Sequence, residues 1–148
     1  MNTTLTSARL IVAAAAISCL PIASAHSQET APAPALTLEL NGAQPSDKGC
    51  RLTFVVNNAL GSELSRAAFE IALFNESGVV DRLTVLDFKE LPVGKTKVTR
   101  FDLTGADCGK ISRVLINHAT ECAGEGVEPA ACMRQLKTET KTGIAFGV

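Results

Sequence analysis

Residues 69–85 read Phe-Glu-Ile-Ala-Leu-Phe-Asn-Glu-Ser-Gly-Val-Val-Asp-Arg-Leu-Thr-Val. Phe69, Ile71 and Leu73 alternate with Glu70 and Ala72, and Leu83 and Val85 alternate with Arg82 and Thr84. A period of two sends successive side chains to opposite faces, which is the mark of a strand and not of a helix. Between the two runs, Asn75-Glu76-Ser77-Gly78 reads as a short hairpin loop whose glycine supplies a positive φ. The stretch is therefore predicted to be a β-hairpin. Its alternating apolar residues, Leu83 and Val85 included, are expected to face a core.

The same period extends in both directions. Leu36, Leu38 and Leu40 alternate with Thr37 and Glu39, and Leu52, Phe54 and Val56 with Arg51, Thr53, Val55 and Asn57. Val98 to Leu103 and Ile111 to Ile116 are β-branched runs, and Lys141 to Val148 reads as a closing strand carrying Ile144 and Phe146. Leu91-Pro92-Val93-Gly94 is a second turn, with proline presetting φ. One short helix is expected from about Pro129 to Lys137, with Pro129 in its first turn and Arg134 and Lys137 at the cation-favouring end. About seven strands with one apolar face each predict an immunoglobulin-like antiparallel β-sandwich with a short C-terminal helix. No internal repeat appears, and 148 residues suit one domain.

The first 25 residues read differently. Arg9 precedes the uninterrupted apolar stretch Leu10 to Leu20, Pro21 breaks it, and Ala23-Ser24-Ala25 offers small residues at the two positions that a signal peptidase reads, Ala23 and Ala25. The apolar run is shorter than the ~20 residues of a membrane-spanning helix. Residues 1–25 are thus expected to be a secretory signal. Lipidation at Cys19 is the rival reading, disfavoured because Ala16-Ile17-Ser18 lacks the usual leucine. Residues 26–35, His-Ser-Gln-Glu-Thr-Ala-Pro-Ala-Pro-Ala, read as a semi-rigid linker. Residues 36–148 are the expected folded domain, in a periplasmic or secreted protein.

Composition narrows the functional classes. Fourteen Lys and Arg against 15 Asp and Glu provide no cationic excess for nucleic acid. The chain has neither Trp nor Tyr, which argues against a sugar-stacking platform or an aromatic-rich interface. No nucleophile elbow, phosphate-binding loop, zinc-protease motif or nucleotide fingerprint occurs.

Ile71-Ala72-Leu73-Phe74-Asn75-Glu76-Ser77-Gly78 resembles the signature hairpin of FxLYD-type domains, small immunoglobulin-like sandwiches of exported bacterial proteins. Ile71 stands for the first Phe of that pattern, Phe74 for its Tyr and Asn75 for its Asp. Val56-Asn57-Asn58 is similar to the family's strand end, and Leu91-Pro92-Val93-Gly94 to its Pro-Gly turn. The likeness spans about Leu52 to Leu103 and excludes the cysteines. It implies a binding or structural role and carries over no catalytic residue.

Beyond Cys19 the cysteines are Cys50, Cys108, Cys122 and Cys132, an even set read as two disulfides. Following the strands up and down places Cys50 and Cys108 at one end, and Cys122 and Cys132 at the other. A seven-residue strand separates the ends by ~23 Å, and a disulfide tolerates only ~7 Å between Cα atoms. The expected pairs are Cys50–Cys108 and Cys122–Cys132. Neither redox Cys-x-x-Cys nor zinc spacing is present.

Few other side chains suggest chemistry. Asp102 and Asp107 near Cys108, and Glu121, Glu125 and Glu128 near the second disulfide, form either an acidic cation site or a solvated rim, and the rim is favoured. Asn75-Glu76-Ser77 is a glycosylation sequon on a tight hairpin, more naturally turn chemistry. Arg66, Arg82, Arg100 and Arg113 are expected to guard faces and edges. Cleavage after Ala25 would leave His26 at the N-terminus, where its amine and imidazole could clamp copper with His118. The expected function is an exported, non-catalytic envelope protein, a binding or structural module with no cofactor and an unknown protein or envelope partner. A periplasmic copper-binding protein is the alternative.

Overall fold

The computed structural model describes residues 31–148. The signal segment with Ala23 and Ala25, Cys19 and His26 lie outside the described residues.

Eight strands form two four-stranded sheets: β1 Ala35–Ser46, β2 Gly49–Ala59, β3 Leu64–Asn75, β4 Val80–Leu91, β5 Thr96–Thr104, β6 Ile111–Ala123, β7 Leu136–Thr140 and β8 Ala145–Gly147. One sheet runs β5-β2-β1-β7 and the other β4-β3-β6-β8. The result is the expected β-sandwich. Ala35, expected as the last linker residue, already belongs to β1 and is buried.

The core lies where the alternation on β1 to β3 places it. Leu36, Leu38 and Leu40 of β1 and Leu52, Phe54 and Val56 of β2 face Phe69, Ile71 and Leu73 of β3. Five of the six phenylalanines interlock edge to face: Phe54 lies 5.5 Å from both Phe88 and Phe146, and Phe88 lies 5.0 Å from Phe101 and 5.9 Å from Phe69. Each such pair adds about 1 kcal/mol beyond area burial. Phe74, the sixth, sits outside this cluster beneath the Arg113 guanidinium, 5.5 Å from the ring centre.

Asn58 is the one buried polar side chain among the described residues. Its amide donates to the carbonyls of Ser62 and Leu91 at 2.9 and 2.8 Å, and its Oδ1 accepts from the Leu60 amide at 3.0 Å. The Gly94 amide donates to its backbone carbonyl at 2.7 Å. One residue thereby ties the β2–β3 loop to the β4–β5 turn. Asn75 organises the β3–β4 hairpin: its Oδ1 accepts from the amides of Ser77 and Val79, both at 3.0 Å, and Gly78 has φ 74°.

The disulfides join Cys50 to Cys108, Cα atoms 5.0 Å apart, and Cys122 to Cys132, 5.9 Å apart. These are the pairs that the strand directions select. The first bond links the start of β2 to the 3₁₀ turn Cys108–Lys110 that leads into β6, so it bridges the two sheets.

The C-terminal region departs from expectation. The helix, expected over Pro129–Lys137, is only α1, Ala131–Arg134. Leu136 and Lys137 belong instead to β7, which pairs parallel with β1 in the register Leu36↔Leu136. A helix this short is not stable by itself, and pairing with the long β1 wins the following residues. The closing strand expected over Lys141–Val148 is likewise reduced to β8. Lys141–Gly143 turn the chain, with the Thr140 hydroxyl accepting from the Thr142 amide and the Thr142 hydroxyl from the Ile144 amide, both at 3.1 Å. The chain thereby changes sheets, and β8 pairs parallel with β6. These two parallel contacts qualify an otherwise antiparallel sandwich.

Candidate binding surface

β4 lies at the edge of its sheet, and its register against β3 settles which way its side chains point. Leu73↔Arg82, Ile71↔Thr84 and Phe69↔Leu86 are cross-strand pairs, and so are Ala72↔Leu83, Glu70↔Val85 and Ala68↔Asp87. Cross-strand partners share a face. Phe69, Ile71 and Leu73 are core residues, so Arg82, Thr84 and Leu86 lie on the core side and Leu83 and Val85 on the outside. The orientation expected for Leu83 and Val85 is thus reversed: they are 55% and 51% exposed. The physical reason is the continuation of the strand. Leu86 and Phe88 are larger core anchors on the opposite parity, and a one-residue choice of register turns the whole strand over.

The outer face of this sheet consequently carries an apolar stripe. Ala72 is flanked by Leu83 and Leu115, and Phe74 by Val80 and Arg113. Ala68 and Ala72 are buried yet lie outside the core cluster, being the floor of this outer surface. The outer face of the other sheet is different. Its cross-strand pairs are Thr37↔Asn57, Arg51↔Asp102, Thr53↔Arg100 and Asn57↔Thr96, with Val55↔Val98 as an isolated apolar couple.

The free edge of β4 is regular only between two bulges. Asp81 and Phe88 are the extra residues in the pairing with β3, so the unbroken ladder covers Arg82 to Asp87. Each end of this window is tied to β5. Arg82 Nη1 donates to the Thr104 carbonyl at 2.8 Å, and Lys97 Nζ donates to the carbonyls of Phe88 and Glu90 at 3.0 and 2.8 Å. Lys89, at φ 62°, completes the bulge. The four residues between, Leu83 to Leu86, have no such tie among the described residues.

Charge borders the stripe on the Lys89 side. Asp87 Oδ2 accepts from Lys89 Nζ at 2.7 Å and from Arg66 Nη2 at 2.9 Å, and Arg66 Nε lies 3.1 Å from Glu121. The Lys89 and Arg66 cations hold the Asp87 carboxyl far below the usual carboxylate range, and Asp87 in return raises the Arg66 guanidinium. On the other sheet the bidentate Arg51 contact, at 2.9 and 3.0 Å, lowers Asp102.

The remaining candidate residues do not converge. Asp107 accepts from the Gly109 amide at 2.9 Å and Glu128 pairs with Arg134, while Glu121 serves Arg66. Asp102, Asp107, Glu121 and Glu128 are thus held by separate partners. His118 lies half exposed on β6, 3.6 Å from Glu70, whose other contact is the Asn117 amide at 2.7 Å. Among the described residues no group of three or more His, Cys, Asp or Glu is placed to hold a metal, and no helix is long and apolar enough to cross a membrane. A cleft of about 290 Å³ opens beside Leu73, Arg82, Ala106 and Lys110. Its Arg82 is occupied by Asp81 and the Thr104 carbonyl, and the cleft presents no histidine, serine or thiol for catalysis.

The apolar outer stripe was not anticipated from the sequence. Its signal was available: Val79-Val80 and Leu83 to Leu86 place apolar residues on both parities, which a strand exposed on one side does not need. Comparison with family models, with curated proteins and with solved structures finds no match to this chain.

Proposed function

We propose that the protein is an exported, non-catalytic β-sandwich that binds another protein through the outer face of the β4-β3-β6-β8 sheet. The observation that carries this reading is the stripe of Val80, Leu83 and Val85 beside Phe74 and Leu115, on one outer face and not on its counterpart. An exposed apolar patch with a polar border marks an interaction site. Two disulfides fit an extracellular or otherwise oxidising compartment, in keeping with the signal-like first 25 residues. The FxLYD resemblance agrees with an envelope binding or structural role. A photo-crosslinking residue at Leu83, compared with one at Thr53 on the opposite face, tests the reading in cells that produce the protein. Adducts at position 83 and none at 53 are expected. Equal labelling at both positions, or none at either, would overturn it.

A further inference from the structure

The cleft beside Arg82 lies where the β3–β4 hairpin meets the connection from β5 to β6. Its floor is apolar: Leu73 and Ala106 are buried and Ile111 is half-buried. Two opposite charges, Asp107 and Lys110, stand on its rim. Asp107 caps the 3₁₀ turn Cys108–Lys110, and the Lys110 amide donates to the Asp107 carbonyl at 3.0 Å. That bond closes one turn and stacks Lys110 over Asp107.

The two charges do not neutralise each other. Asp107 Oδ1 accepts from the Gly109 amide at 2.9 Å, and its second carboxylate oxygen has no partner among the described residues. The Lys110 ammonium likewise has neither a hydrogen bond nor an ion pair among the described residues. Across the cleft Arg82 is paired with Asp81 at 2.8 Å, so that wall adds no net charge. The rim is also held in place before any ligand arrives, which lowers the cost of binding. Cys108 within the turn is bonded to Cys50, and the Gly105 amide donates to the Lys48 carbonyl at 2.8 Å.

We infer that this cleft binds a free α-amino acid with a small apolar side chain. Lys110 Nζ donates to the ligand carboxylate, the second oxygen of Asp107 accepts from the ligand ammonium, and the side chain lies over Leu73 and Ala106. Charge and size select this class. An anion alone leaves Asp107 unmatched, a cation alone leaves Lys110 unmatched, and a neutral molecule desolvates both without return. The volume of about 290 Å³ falls at the lower bound of small-molecule sites, roughly 300–1,000 Å³, which suits a single amino acid and not a peptide. Neither Leu83 nor Val85 lines the cleft, so this site is distinct from the proposed protein-binding stripe.

Titration of the disulfide-bonded protein with L-valine, followed by the amide NMR signals of Gly105 to Ile111, tests the inference. An open cleft with two exposed charges binds weakly, with a dissociation constant on the order of 1 mM. N-acetyl-L-valine lacks the ammonium and L-valinamide lacks the carboxylate, and each is expected to bind at least tenfold more weakly. Lys110→Gln and Asp107→Asn are each expected to weaken valine binding at least tenfold. Both variants are expected to keep the fold, since Lys110 is exposed and asparagine caps a turn as well as aspartate does. The dispersion of their spectra checks this. Absence of shifts in this segment at valine concentrations far above 1 mM would overturn the inference. So would valine binding that survives both substitutions, or equal binding of valine and its two derivatives.

Discussion

The two outer faces of the sandwich are built on the same core and differ in what they leave to solvent. On the β5-β2-β1-β7 face, threonines, asparagines and the Arg51–Asp102 pair cover the surface, with Val55 and Val98 alone among them. On the β4-β3-β6-β8 face the alanines Ala68 and Ala72 form a buried floor, and large apolar side chains stand on it. Outer positions contribute little to folding, so a face free to be polar that is apolar instead points to association. Stability is held elsewhere, in the phenylalanine cluster, in Asn58 and in the two disulfides.

The comparison breaks first if the faces are not mounted on one rigid frame. Cys50–Cys108 closes a sequence separation of 58 residues and Cys122–Cys132 one of 10. Loop-closure entropy gives the first roughly 4 kcal/mol and the second somewhat under 3. Cys50→Ser is therefore expected to lower global stability by about 4 kcal/mol and expose both sheets together. Cys132→Ser is expected mainly to fray α1 and the start of β7. Urea melts with hydrogen exchange on each mutant measure this. Greater global damage from Cys132→Ser would mean that the short cap, and not the inter-sheet bond, secures the frame.

Acid sharpens the contrast between the two surface ion pairs. A carboxylate with a depressed folded-state pKa contributes stability above its ordinary value near 4, and that contribution is lost as the pH falls through the folded value. Both Asp87 and Asp102 are depressed. Asp87 has two cationic side-chain partners, Lys89 and Arg66, where Asp102 has the single guanidinium of Arg51. Asp87→Asn is thus expected to remove more of the stability gained between strongly acidic pH and pH 5 than Asp102→Asn does. Acid-unfolding curves followed by circular dichroism show which replacement flattens the profile more.

Much of this architecture was legible in the sequence. Alternation located β1, β2 and β3, Asn75 to Gly78 located the hairpin, and strand direction selected the disulfide pairs. The face of β4 was misread because Leu83-Thr84-Val85 alternates as well as Thr84-Leu86-Phe88 does; only the register against Phe69, Ile71 and Leu73 decides between them. The tail was misread because Pro129 to Lys137 has local helical signals, whereas the force that extends Leu136 to Thr140 is pairing with β1, about a hundred residues earlier in the chain. The candidate surface was hidden by the first error. Once Leu83 and Val85 were assigned to the core, no exposed apolar patch was left to find.

The central claim is that the stripe serves association and not folding, and a matched pair of substitutions addresses it. Val85 and Val98 are exposed to similar degrees, 51% and 58%, on opposite outer faces. Lysine at either position should change stability by no more than about 0.5 kcal/mol. The direct measurement is the mass of the native assembly recovered from producing cells for wild type, Val85→Lys and Val98→Lys at equal expression. The account predicts wild type and Val98→Lys above monomer mass, and Val85→Lys at monomer mass. Recovery of Val85→Lys in the same assembly as wild type, or of all three as monomers, would contradict it.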